Sequence, residues 1–290
     1  MRKVLRLYLL IAICGILYSF GMATYENIKV DIEIKRFIHG AELVKVDELN
    51  RITYYVIKNE NSSSEFSAFY DDEQLILGQP GDILMSTGSN APQNLLIHGF
   101  VHYYFGKHAA LVLDDGNIAE AAAAVNSAID VLDNALWPRD KENISGTGIQ
   151  FDDNYWLDSN FTRPTNPDYK YYHGFSSNEY FGIRVKNLTD ENRTRVIELA
   201  EDIVDANSMY NYLFFINNKN GYYCTSFIKE LYNKLGKENG TSYNLDYDGF
   251  TVSVNDIVLA RDTYMFSYFK VDDDGMGHLY YLEGERKWTT

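Results

Sequence analysis

Cys224, His108 and Glu120 supply the three side-chain types that a thiol hydrolase needs. A thiol attacks, an imidazole takes its proton, and a carboxylate orients the imidazole. Cys224 stands in the run Asn220-Gly221-Tyr222-Tyr223-Cys224-Thr225-Ser226. Phe227, Ile228, Leu231, Tyr232 and Leu235 follow at the spacing of one apolar helix stripe. Gly221 breaks the chain just ahead of that stripe, and Gly236 stands where a C-cap glycine belongs. The spacing predicts a helix with Cys224 in its first turn. There the unpaired N–H groups and the positive end of the helix dipole favour a thiolate. A cysteine at a helix start can equally be buried packing, so the chemistry needs support from elsewhere in the chain.

A hairpin must position the other two residues. His108-Ala109-Ala110-Leu111-Val112-Leu113 is an unbroken apolar run closed by Asp114-Asp115-Gly116, and Asn117-Ile118-Ala119-Glu120-Ala121-Ala122 follows it. A two-residue Asp115-Gly116 loop puts His108 and Glu120 on opposite faces. A three-residue loop with Gly116 left-handed pairs Glu120 with Ala110 instead. His108 then lies diagonally from Glu120 on the same face, within reach of long side chains. The three-residue loop is the expectation. A strand histidine beside a glutamate is also a common structural hydrogen bond, so the pair gains meaning only next to the thiol.

The N-terminus sets the compartment. Met1-Arg2-Lys3-Val4-Leu5-Arg6 is basic, Leu7 to Phe20 carries no charge, and Gly21-Met22-Ala23 offers a small-x-small cleavage site. The apolar run is shorter than the ~20 residues of a spanning helix. Residues 1–23 are therefore expected to be a secretory signal peptide cut after Ala23, with an uncleaved membrane anchor as the alternative. A lipoprotein attached through Cys14 is disfavoured by bulky Ile13. Losing Arg2, Lys3 and Arg6 takes the net charge from −15 to −18 and leaves Cys224 as the sole cysteine. So acidic a chain argues against nucleic acid or anionic lipid as partner. A single thiol in an exported protein is either incidental or used.

The rest of the chain supplies scaffold. Residues 24–78 read as an N-terminal extension with strands at 28–34, where apolar and polar residues alternate, and at 52–57, with a loop at Asn61-Ser62-Ser63-Ser64. Gln79-Pro80-Gly81-Asp82 is a turn into the strand Ile83-Leu84-Met85. Residues 124–137 read as a short helix, and residues 138–180 show no clear period, as in a binding loop. A strand at 181–185 precedes a helix capped by Thr189, with Val196, Leu199, Ala200, Ile203 and Val204 on one side. Val252-Ser253-Val254 and 268–271 read as closing strands, and Asp272-Asp273-Asp274-Gly275 as a solvated turn. His98 and His102, with His108 beyond, have ligand-like spacing, but the stretch is apolar and without an acid. They read as core or groove-lining histidines, and neither a metal nor a cofactor is expected.

The ordered series of these segments resembles a known family. Gly81-Asp82-Ile83-Leu84, Lys107-His108-Ala109-Ala110-Leu111-Val112-Leu113 and Asn117-Ile118-Ala119-Glu120-Ala121 look like the first half of the circularly permuted NlpC/P60 (papain-like) cysteine hydrolases, the YiiX/YaeF-like group. Ile183-Arg184-Val185, Tyr223-Cys224-Thr225-Ser226-Phe227 and Val254-Asn255-Asp256-Ile257 look like the second half. The resemblance spans about residues 79–270 and leaves 271–290 as a C-terminal tail. It implies an α+β fold in which an antiparallel sheet packs against the helix carrying the nucleophile. It implies Cys224 as nucleophile, His108 as base and Glu120 as the orienting residue. Tyr223 is expected to line the site and bind substrate. Members are amidases or peptidases, often acting on cell-wall peptides, so a peptide or peptidoglycan-derived substrate is implied. Membrane attachment is expected only through the N-terminal segment. Lipid-directed thiol acyltransferases or phospholipases occur in the wider clade, and a non-catalytic surface binding module on the same fold is the other alternative. Ser226 stands where an acidic residue is common in this group, and the Asn-Cys-Glu-His type of run found in lipid-acting relatives is not present.

Overall fold

Period-two apolar patterning in the short segments and helical patterning in the longer ones sort the chain into a sheet and the helices that cover it. The structure, a computed structural model, describes residues 2–58, 67–71, 75–86, 103–122, 148–157, 178–206, 208–211, 221–249 and 251–283. In chain order the elements are α1 (Arg2–Phe37), β1 (Glu42–Asp47), β2 (Ile52–Ile57), β3 (Phe69–Asp71), β4 (Ile76–Leu77), β5 (Ile83–Ser86), β6 (His108–Val112), β7 (Ile118–Ala122) and β8 (Gly148–Asp152). Then come β9 (Glu179–Val185), α2 (Asp190–Asp205), β10 (Met209–Tyr210), β11 (Gly221–Tyr222), α3 (Cys224–Asn239), α4 (Val254–Leu259), β12 (Thr263–Val271) and β13 (Gly277–Leu282).

Among the described residues nine strands join in the order β1-β2-β13-β12-β9-β5-β6-β7-β8. Neighbours are antiparallel except β2 and β13, which run parallel. The fold is α+β, but its sheet is mixed where an antiparallel one was expected. A parallel pair needs a long crossover, and here nearly the whole chain separates β2 from β13. The segments before residue 79 and after residue 270 thus add β1, β2 and β13 to the same sheet.

The two faces of the sheet are sorted by parity. Ile83, Met85, Ala109, Leu111, Ala119, Ala121 and Ile183 pack with residues of α2 and α3. Leu84, Ala110, Val112, Ile118 and Tyr180 pack the other way, with Trp156 and Phe269. The stripe read from the sequence is the buried face of α3: Phe227, Ile228, Leu231, Tyr232 and Leu235 are all inaccessible to solvent. Each such side chain stabilises the fold by about 1.5–3 kcal/mol. Thr189 caps α2, accepting a hydrogen bond from Asn192 N at 3.2 Å.

Asp82 anchors the turn before β5. Its carboxylate accepts bonds from Arg184 Nε at 2.7 Å, Arg184 Nη2 at 2.6 Å and Gln79 N at 2.8 Å. Arg193 Nη1 on α2 lies 3.7 Å away and donates to Pro80 O at 2.6 Å. Both members of the Asp82–Arg184 pair are buried, so removing either would leave the other without its main partner in the interior.

Four local expectations are corrected. Residues 28–34 are helical, inside α1. Ala23, Val30 and Ile34 are buried at helical spacing, whereas Ile28 and Ile32 face solvent. Residues 252–254 are no strand: Ser253 caps α4, exchanging hydrogen bonds with Asp256. Gly236 is interior to α3, close under Thr241, where a Cβ would come within 2.9 Å of the Thr241 carbonyl oxygen. The helix runs on to Gly240, whose φ of 63° makes the left-handed cap. The aperiodic stretch at 138–180 contains β8 and the start of β9. The expected loop at 61–64, the apolar stretch with His98 and His102, and the helix at 124–137 lie outside the described residues.

Candidate active site

The hairpin takes the three-residue loop. Ala110 pairs with Glu120, Leu111 with Ala119 and Val112 with Ile118. Leu113 N donates to Asn117 O at 2.8 Å, and Gly116 adopts φ 82°, with the Tyr70 ring where a Cβ would stand. His108 and Glu120 therefore share a face. His108 Nε2 donates to Glu120 Oε2 at 2.7 Å. The same carboxylate accepts from Tyr155 OH at 2.8 Å and from Gln150 Nε2 at 3.3 Å. Glu120 is 5% exposed and keeps its charge through these three donors.

Cys224 opens α3. Ser226 Oγ accepts from Tyr223 N and donates to Tyr223 O, both at 2.9 Å, so Ser226 takes the part that Glu or Gln plays in a capping box. Thr225 Oγ1 donates to Val252 O at 2.7 Å and ties the helix start to the segment before α4. Cys224 is buried on the helix-covered face, while Ala110 and Trp156 belong to the opposite core. His108 bridges the two because it is the first residue of β6: its imidazole lies near the Cys224 side chain, which helps to raise its pKa. With Nε2 bonded to Glu120, Nδ1 is the ring nitrogen left for the sulfur.

Electrostatics follow from this geometry. Burial alone lowers the His108 pKa, but the Glu120 charge, the neighbouring Cys224 side chain and the bond to Glu120 together raise it well above its ordinary value. Burial alone raises Glu120, and the His108 charge with the bonds from His108, Tyr155 and Gln150 holds it below the usual carboxylate range. The imidazole is thus held protonated beside a sulfur at a helix N-terminus.

The structure brings together Cys224, His108 and Glu120. Tyr223 is adjacent but mostly enclosed: it is 5% exposed, its ring meets Phe105 edge-on, and burial raises its phenol pKa. Sequence reasoning missed Gln150, Tyr155 and Trp156. The Trp156 ring stacks on His108, 6.1 Å between centroids and 8° from parallel, and Tyr155 stacks on Trp156 in turn. The alternation Ile149-Gln150-Phe151 is the one signal that could have revealed β8 and put Gln150 opposite Glu120. Neither Cys224 nor His108 belongs to a ligand-competent cluster among the described residues. Comparison with models of known families, with curated proteins and with solved structures finds no match to this chain.

Proposed function

We propose that this chain is an extracytoplasmic cysteine hydrolase on a permuted papain-like, NlpC/P60-type scaffold, cleaving amide bonds in cell-wall peptides. The observation that carries the reading is the series Cys224–His108–Glu120, with a thiol at a helix start, an imidazole near it, and a buried carboxylate behind the imidazole. In this reading the Cys224 thiolate attacks the amide carbonyl carbon, and the oxyanion faces N–H groups of the first turn of α3. His108 then gives its proton to the leaving nitrogen, and the C–N bond breaks to leave a thioester. Water, deprotonated by His108, attacks the thioester and releases the acid and the Cys224 thiolate, leaving His108 protonated as at the start. Glu120 holds the ring with Nδ1 toward sulfur and balances the imidazolium. Trp156 braces the ring from its face. Tyr223 contributes the small exposed part of its side chain.

The N-terminal apolar helix has the length and composition of a signal sequence or anchor. It supports a site outside the cytoplasm. The test is hydrolysis of peptidoglycan-derived stem peptides by the wild type and by Cys224→Ala. The reading expects a loss of at least about 10³-fold with the fold intact. Equal hydrolysis by both proteins would sink it. Peptide binding without turnover favours a binding module, and cysteine-dependent fatty acid release from vesicles favours the lipid-directed alternative.

A further inference from the structure

Three carboxylates from separate parts of the chain converge beside α1. They are Glu26 on α1, Asp248 in the loop after α3, and Asp256 in the first turn of α4. One oxygen of each lies within 4.8 Å of the other two. Two oxygens bound at ~2.4 Å to one Ca²⁺ are at most ~4.8 Å apart, so this spread fits a shared ion.

The state of Glu26 is a second observation. It is 5% exposed and aimed into the cluster. Among the described residues no hydrogen-bond donor meets its carboxylate, and the charges that face it are those of Asp256, Asp248 and Asp246. A carboxyl placed there without a donor takes up either a proton or a cation. The nearby lysines are engaged elsewhere. Lys229 Nζ bonds Asp246 Oδ2 at 2.5 Å, and Lys29 Nζ sits over the Tyr25 and Tyr247 rings at 5.2 and 5.8 Å.

Asp256 is oriented in advance. Its Oδ2 accepts from Ser253 N at 2.8 Å and Ser253 Oγ at 2.7 Å, and its Oδ1 accepts from Asp248 N at 3.3 Å. Hydrogen bonds of this kind hold ligand carboxylates in place around metals. The donor set is all oxygen, which suits a hard cation and not zinc or copper.

We propose that Glu26, Asp248 and Asp256 bind a divalent cation of the Ca²⁺ class, which fastens α1 to the loop after α3 and to α4. Water or backbone carbonyls complete its coordination. The clamp borders the candidate active site, because Thr225 at the start of α3 is bonded to Val252 just before α4. Removal of residues 1–23 leaves all three carboxylates on the chain. The proposal does not depend on the hydrolase reading.

The test is Ca²⁺ titration of the chelator-treated full chain. It is followed by thermal unfolding and by Tb³⁺ luminescence excited through Tyr25 and Tyr247, which flank the cluster. The expected result is a Ca²⁺-dependent rise in Tm and a Tb³⁺ signal that Ca²⁺ displaces. Glu26→Gln, close in shape, and Asp248→Asn, at an exposed position, each weaken the apparent affinity at least about tenfold without changing the helix content. No response to millimolar Ca²⁺, a response to Mg²⁺ alone, or equal affinity in both variants overturns the proposal. Equal affinity would mean diffuse binding to an acidic surface.

Discussion

Glu120 accepts hydrogen bonds from three segments of the chain, so substitutions there separate charge from shape. Glu120→Gln keeps the volume and removes the charge that raises His108. The imidazole then releases its proton at lower pH, toward its ordinary ~6.5. Hydrolysis is expected to fall by about 10² or more. The alkaline limit of the pH–rate profile is expected to move to lower pH, measured against the wild type on one substrate. An unchanged profile would show that Glu120 serves packing alone. The departure at Ser226 also resolves at this scale. Its hydroxyl closes the start of α3 through Tyr223, so an acid two residues after the cysteine is not needed to cap the helix.

The elements carrying these residues can be tested separately. Leu231→Ala empties a fully buried position on α3 and is expected to cost about 2–5 kcal/mol in urea unfolding. Gly240→Ala meets open space, so it isolates the left-handed cap, and about 1 kcal/mol is expected. Much of this scaffold was legible in the sequence. Asp114-Asp115-Gly116 specified the register because only a left-handed third residue puts Glu120 opposite Ala110. The apolar stripe from Phe227 to Leu235 specified α3, and Thr189 specified the start of α2. Where reading failed, two periods fitted the same residues. Val30 and Ile34 satisfy both a strand alternation and a helix face, and nothing local chooses between them. Val252-Ser253-Val254 looks β-branched, yet Ser253 with Asp256 three residues on is a capping box. Gly236 was the nearer glycine, but its lack of a side chain serves a close approach, and Gly240 ends the helix. The fragments holding Gln150, Tyr155 and Trp156 carry too short a pattern to stand out. Contact between Cys224 and His108, far apart in sequence, is a tertiary fact that no local pattern holds.

Across the whole molecule, the site lies at the end of β6 where the two cores meet, and its ion pair couples folding to pH. Glu120 titrates below its unfolded value, so its contribution is fully present above ~4.3 and is lost as pH falls. His108 titrates above its unfolded value, so its contribution is fully present below ~6.5 and is lost as pH rises. The difference in unfolding free energy between wild type and His108→Ala should therefore be largest between about pH 4.5 and 6.5, and should shrink on either side. A flat difference would mean that the pair is not charged in the folded protein. The measurement that bears most directly on the central claim is the alkylation rate of Cys224 by iodoacetamide across pH 4–10, with His108→Ala alongside. It requires no knowledge of the substrate. The account predicts that alkylation at pH 6 is at least about tenfold faster in the wild type than in His108→Ala. Equal rates in the two proteins at every pH would contradict it and leave Cys224 as packing.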